Sequence, residues 1–180
     1  MEKTIFDKTP MILPKALTKQ EIEAILAKAN HDNNKHGRRN YLMLFTLWRT
    51  GMRVSDLVHL KKEDIKEDVI VIRCGKGKKD RVIPLSFDLR ALLLTYADNM
   101  NKDVNVFNVS RRQVNNIIKR YAPGIHAHTF RHSFAVFYLK SGGNLRSLQL
   151  ILGHSCLNVT EKYLILSGVD VKQDYDKIIW

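Results

Sequence analysis

Apolar positions recur at helical spacing over most of the chain and gather into strand-like runs in one short region. Ile22, Ile25, Leu26 and Ala29 share one helix face behind the capping box Thr18-Lys19-Gln20-Glu21, which predicts a first helix from Lys19 to about Asn30. His31 to Gly37 is polar and reads as a loop. Arg38 to Thr50 carries the most apolar stretch (Tyr41, Leu42, Leu44, Phe45, Leu47, Trp48) and reads as the central buried helix, ended by Gly51. A short helix, Val54 to Leu60, follows. Val69 to Ile72 is wholly β-branched, and Arg81 to Leu85 is similar, so the two predict a hairpin across a long basic loop. Pro84 suits an edge position. Ser86 is placed to cap a helix running to about Asn99, and Val104 to Phe107 reads as a short third strand. A second capping box, Ser110-Arg111-Arg112-Gln113, opens a helix that ends before Pro123. Helices over Thr129–Lys140, Leu145–Leu152 and about Val159–Leu166 complete the pattern, punctuated by Gly142-Gly143 and Gly153. The expected fold is mainly α with a small antiparallel β-sheet (α+β). Its body spans residues 18–166, between an N-terminal tail or linker (1–17, with Pro10 and Pro14) and a C-terminal tail (167–180).

Composition narrows the function classes. At 180 residues, 44% hydrophobic and 27% charged, the chain suits one ordinary globular domain and not a disordered or low-complexity segment. The Tyr41–Trp48 run falls far short of the ~18–20 residues of a membrane span. No apolar signal region opens the chain, so a cytoplasmic protein is expected. Cys74 and Cys156 stand in no metal-type spacing and read as free thiols. The formal charge of +12 favours a polyanionic partner, nucleic acid first.

Three segments carry candidate chemistry. In Thr50 to Leu57, Arg53 stands where a short helix opens, a place suited to an anion. The plainer reading is a surface arginine paired with Asp56. In Arg73 to Arg81, five of nine residues are basic on a predicted hairpin tip. The phosphate-binding G-x-x-x-x-G-K-[ST] spacing is absent, and contact with nucleic-acid phosphates is set against a solvated turn. In His126 to His132, His128 and Arg131 share a helix face. A zinc site is weighed and disfavoured, because Arg131 stands where H-E-x-x-H has its glutamate. His126 and His132 read as satisfied core histidines. Two arginines, a lysine, two histidines and a tyrosine, with no acidic cluster, lack the oxygen ligands of a Mg²⁺ site. They can still cleave a phosphodiester. Guanidiniums clamp nonbridging oxygens, a tyrosine attacks phosphorus, and a lysine or histidine protonates the leaving oxygen.

These segments resemble, in order, the catalytic domain of the tyrosine recombinases of the phage-integrase and Xer type. T-G-x-R-x-S-[DE]-L is matched at Thr50–Leu57. G-K-G-x-K-x-R with a following apolar-Pro-Leu strand is matched at Gly75–Leu85, and H-x-x-R-H-[ST]-F-A at His128–Ala135. L-G-H with a tyrosine nine residues after its histidine is matched at Leu152–Tyr163. The resemblance implies that Arg53 and Arg131 grip the scissile phosphate and that Lys76 protonates the leaving 5′-hydroxyl. It implies that His128 assists proton transfer at the nucleophile, His154 bonds a phosphate oxygen, and Tyr163 forms a 3′-phosphotyrosyl bond. Tyr138 is expected to pack with Phe134 and Phe137, and Tyr175 lacks the spacing. Lys78, Lys79, Arg81, Arg111 and Arg112 are candidate DNA contacts. The implied activity is site-specific recombination without metal, cofactor or ATP, on double-stranded DNA, through a homotetramer and a Holliday junction, with possible accessory DNA-bending proteins, at the nucleoid. A type IB topoisomerase-like enzyme and a DNA-binding regulator derived from a recombinase are the rival functions. The resemblance implies that most relatives carry an N-terminal helical DNA-binding domain, so the chain is expected to be either an excised catalytic domain or a single-domain recombinase resembling the fimbrial invertases. Ile178 to Trp180 is expected to dock in cis or on a neighbouring subunit.

Overall fold

A computed structural model describes residues 15–73, 80–154 and 158–168. Helix α1 (Lys19–Asn30) begins at Thr18, whose hydroxyl accepts from the Glu21 amide while the Glu21 carboxylate accepts from the Thr18 amide. Helix α2 (Gly37–Thr50) lies centrally and packs on α1, α4 and α6. Met43, Leu44 and Leu47 are fully buried along it. It stops at Gly51, which has φ +60°; a Cβ there would meet the Phe134 ring at 2.3 Å.

Helix α3 (Val54–Val58) follows at once. A turn of 3₁₀ helix (Lys62–Asp64) leads into β1 (Val69–Ile72), which pairs antiparallel with β2 (Arg81–Pro84), Val69 opposite Pro84 and Ile72 opposite Arg81. The residues between, 74–79, lie outside the described set, and with them the candidates Lys76, Lys78 and Lys79. Helices α4 (Phe87–Tyr96), α5 (Arg111–Tyr121), α6 (Ala127–Lys140), α7 (Leu145–Leu152) and α8 (Asn158–Ser167) complete the architecture. The main core joins α1 to α6 and the hairpin. A smaller core of Ala135, Val136, Leu139, Leu148, Leu152 and Tyr163 joins α6, α7 and α8.

The expected fold class holds, but some expected elements differ. Val104 to Phe107 does not form a strand. The Val106 amide donates to the Leu60 carbonyl (2.8 Å) and Lys61 bridges Asn105, but the 3₁₀ turn at Lys62 carries the partner segment away before a ladder can grow. Helix α4 ends at Tyr96 and not near Asn99, and Lys62 Nζ holds the Asp98 carbonyl at 2.6 Å. Helix α3 ends at Val58, before Leu60. Helix α6 begins two residues early, at Ala127. The expected docking of Ile178 to Trp180 falls outside the described residues.

Candidate active site

The site forms where the C-terminal ends of α2 and α7 meet the helix α6. A helix end leaves carbonyls without intrahelical partners and carries the negative end of the helix dipole, so it accepts from a guanidinium. Arg131, on α6 and only 5% exposed, uses two such ends: Nη1 donates to Gly51 O (2.9 Å) and Nη2 to Leu152 O (2.7 Å). Arg53, at the start of α3, donates through Nη2 to the next carbonyl, Gly153 O (3.0 Å). Two arginines thus stand on consecutive carbonyls of one helix end. Gly153, at φ +65°, is the left-handed residue that turns this end of α7.

Asp56 does not pair with the Arg53 guanidinium. Its carboxylate accepts from the Arg53 amide (2.9 Å) and from Arg81 Nη2, so Arg53 keeps its charge for another anion. Arg81, a candidate DNA contact, is largely enclosed instead. Its side chain is 10% exposed, ion-paired with Asp56, and bonded through Nε to Ile151 O (3.3 Å). It ties the base of the basic hairpin to α3 and α7.

His154 follows α7. An arginine only donates, so His154 Nε2 must accept from Arg131 Nη2 (3.0 Å), and the proton sits on Nδ1, which donates to Thr160 Oγ1 (2.9 Å). Burial and the adjacent Arg131 and Arg53 charges push His154 down to about 4, so its ring is neutral at pH 7. Burial, together with Arg53, lowers Arg131 to about 10, and it remains charged. Thr160 and Tyr163, three apart on α8, face the site together.

Tyr163 is 4% exposed, and burial raises its phenol above the ordinary value. Its oxygen lies 2.7 Å from Nδ1 of His132. The His132 ring also neighbours that of His128, with centroids 6.2 Å apart, and the His154 ring stacks near Tyr163, at 6.4 Å. The reading of His126 and His132 as core histidines therefore needs correction. His126 is exposed at the mouth of α6, and His132 is half-buried against the tyrosine hydroxyl. His128 is exposed in the first turn of α6.

The structure thus brings Arg53, Arg131, His154 and Tyr163 together, with His128 one ring away. Sequence reasoning missed Thr160 and misjudged His132; the four-residue step from His128 to His132 was the available signal. Arg111 and Arg112 are exposed on the first turn of α5. Tyr138 packs on Phe134 and against Gly143. Among the described residues no three histidine, cysteine or carboxylate side chains form a metal-holding group. Nor does any described helix have the length and apolar character to cross a membrane.

The family model of the phage integrase family matches residues 15–167, which contain every one of these side chains. The chain belongs to the phage integrase family. It is 37% identical to the tyrosine recombinase XerA of Thermococcus kodakarensis, over 94% of this chain and 64% of that protein. It therefore spans less than two thirds of the length of that relative. The fold resembles the catalytic domain of bacteriophage HP1 integrase, with a TM-score of 0.72 at 24% identity, over 91% of this chain and 94% of that one. It also resembles the XerH site-specific recombinase bound to its difH substrate before cleavage, with a TM-score of 0.70 at 27% identity, over 97% of this chain and 56% of that one.

Proposed function

We propose that this integrase-family chain cleaves and rejoins double-stranded DNA at a specific site, with Tyr163 as the nucleophile. The observation that carries the reading is the pair of guanidiniums on consecutive carbonyls at the end of α7, beside a buried tyrosine hydroxyl. An anion with several oxygens satisfies both arginines at once, and a phosphodiester in that position lies beside the phenol.

In the proposed reaction Tyr163 Oη bonds to phosphorus and the bond to the 5′-oxygen breaks. Arg53 and Arg131 stabilise the charge that grows on the nonbridging oxygens. Lys76 gives its proton to the leaving 5′-oxygen. His154, neutral beside the two arginines, gains basicity once a phosphate offsets their charge, takes up a proton from solvent on Nε2, and then donates it in a hydrogen bond to a phosphate oxygen. The phosphotyrosyl bond keeps the energy of the broken one, so reversal rejoins DNA without ATP. Lys78, Lys79, Arg111 and Arg112 contact flanking phosphates in this reading, residues 18–166 are the catalytic domain, and the working assembly is a tetramer on two sites. XerH is described with its own DNA substrate, which supports DNA as the partner here. Accessory proteins and a nucleoid location belong to the same reading.

Covalent capture tests it. The protein is incubated in EDTA with nicked duplexes covering the DNA that flanks its gene, and adducts are separated in SDS and mapped. The expected result is an adduct on Tyr163 that Tyr163→Phe abolishes without changing DNA binding. An adduct on another residue would reject the assignment.

A further inference from the structure

We propose that His132 takes the proton from Tyr163 as the tyrosine attacks phosphorus, an inference that rests on the cleavage reading above. Of the imidazoles near the nucleophile, His132 is the one bonded to the phenol oxygen, at 2.7 Å from Nδ1. His154 has both ring nitrogens engaged, one by Arg131 and one by Thr160. A phenol is a good donor and a poor acceptor, whereas an imidazole nitrogen is a strong acceptor, so the bond runs from Tyr163 Oη–H to His132 Nδ1.

The surroundings keep that nitrogen free of a proton. On α6, His128 and Arg131 flank His132; Tyr163 faces it from α8, and His154 and Arg53 add to the site from the ends of α7 and α3. Burial and the cationic neighbours lower the basicity of His132, so the ring is neutral and ready to accept near neutral pH. Burial meanwhile makes the phenol harder to ionise unaided, so attack needs an acceptor in place. A phosphate arriving on Arg53 and Arg131 offsets their charge and raises the basicity of His132 as the tyrosine must lose its proton.

The step balances. The Oη–H bond breaks and its proton passes to His132 Nδ1, Oη forms the bond to phosphorus, and the 5′-oxygen leaves with its electron pair and takes a proton from Lys76. One imidazolium forms and one ammonium is neutralised. Religation runs the same transfers backwards, with His132 returning its proton to Oη.

The test uses the full chain and a nicked duplex carrying the site found by adduct capture, with sulfur in place of the bridging 5′-oxygen. Sulfur leaves without protonation, so the rate reports on the nucleophile alone. His132→Asn keeps an acceptor atom where Nδ1 stood but cannot carry a proton, and His132→Ala removes both. Both variants are expected to bind DNA as the wild type does and to form the Tyr163 adduct about 10²–10³-fold more slowly. The wild-type rate should rise through the titration of an imidazole and level off. In both variants that limb should give way to a rate that climbs steadily with pH. A His132→Asn rate within about threefold of wild type, or an unchanged pH profile, would overturn the proposal. If the wild type forms no Tyr163 adduct, the cleavage reading itself fails, and this inference with it.

Discussion

His154 shows how the site uses a neutral imidazole. Its proton is on Nδ1 because Arg131 occupies Nε2, and Thr160, buried on α8, accepts the Nδ1–H hydrogen bond. This arrangement has a consequence for stability. The ring is held at about 4 in the fold, against its ordinary value of 6.5. As pH falls from about 6.5 the unfolded chain binds the proton first, so stability is full above about 6.5 and declines towards about 4. His132, also lowered, acts in the same direction. Denaturant unfolding across that window should show the wild type losing stability and His154→Gln losing less. A pH-independent wild type would contradict the lowering of His154 by burial and the two arginines.

At the scale of elements, what matters is where helices stop. Gly51 ends α2 in the left-handed region so that its carbonyl turns to Arg131. Gly51→Ala should cost at least about 1–3 kcal/mol in backbone strain, with the clash against Phe134 in addition. It should also slow adduct formation by moving the carbonyl; equal stability by thermal unfolding would refute this. The helices themselves were largely readable from sequence, because capping boxes at Thr18 and Ser110 and glycines at 51 and 153 are local signals. The failures were non-local. Val104 to Phe107 has the composition of a strand, but its partner at Leu60–Lys61 curls into a 3₁₀ turn. Arg81 looked like one more cation of the basic loop, and only the approach of α3 and α7 encloses it. His132 bonds a hydroxyl 31 positions away, from a helix whose docking no spacing rule reports.

For the whole molecule, charge and cross-bracing act together. A formal charge of +12 on a chain of this size predicts strong salt dependence of DNA binding. The logarithm of affinity should fall linearly with the logarithm of salt concentration, with a slope of about −0.9 for each phosphate neutralised. A nearly flat salt titration would show that backbone charge is not what holds the duplex. The chain's entry is also tied to this centre: the Leu17 amide donates to Ser133 Oγ (2.7 Å), two residues beyond Arg131 on α6, and Ala16 packs on the small core that holds Tyr163. The two arginines, finally, rest on main-chain oxygens of Gly51, Leu152 and Gly153, and every residue type carries such an oxygen. If the two arginines hold a phosphate as proposed, outer faces can change, and with them any preferred DNA sequence, while that hold persists as long as the two helices end where they do. In evolutionary terms, the proposed reaction leaves target choice and bond chemistry to separable parts of the chain.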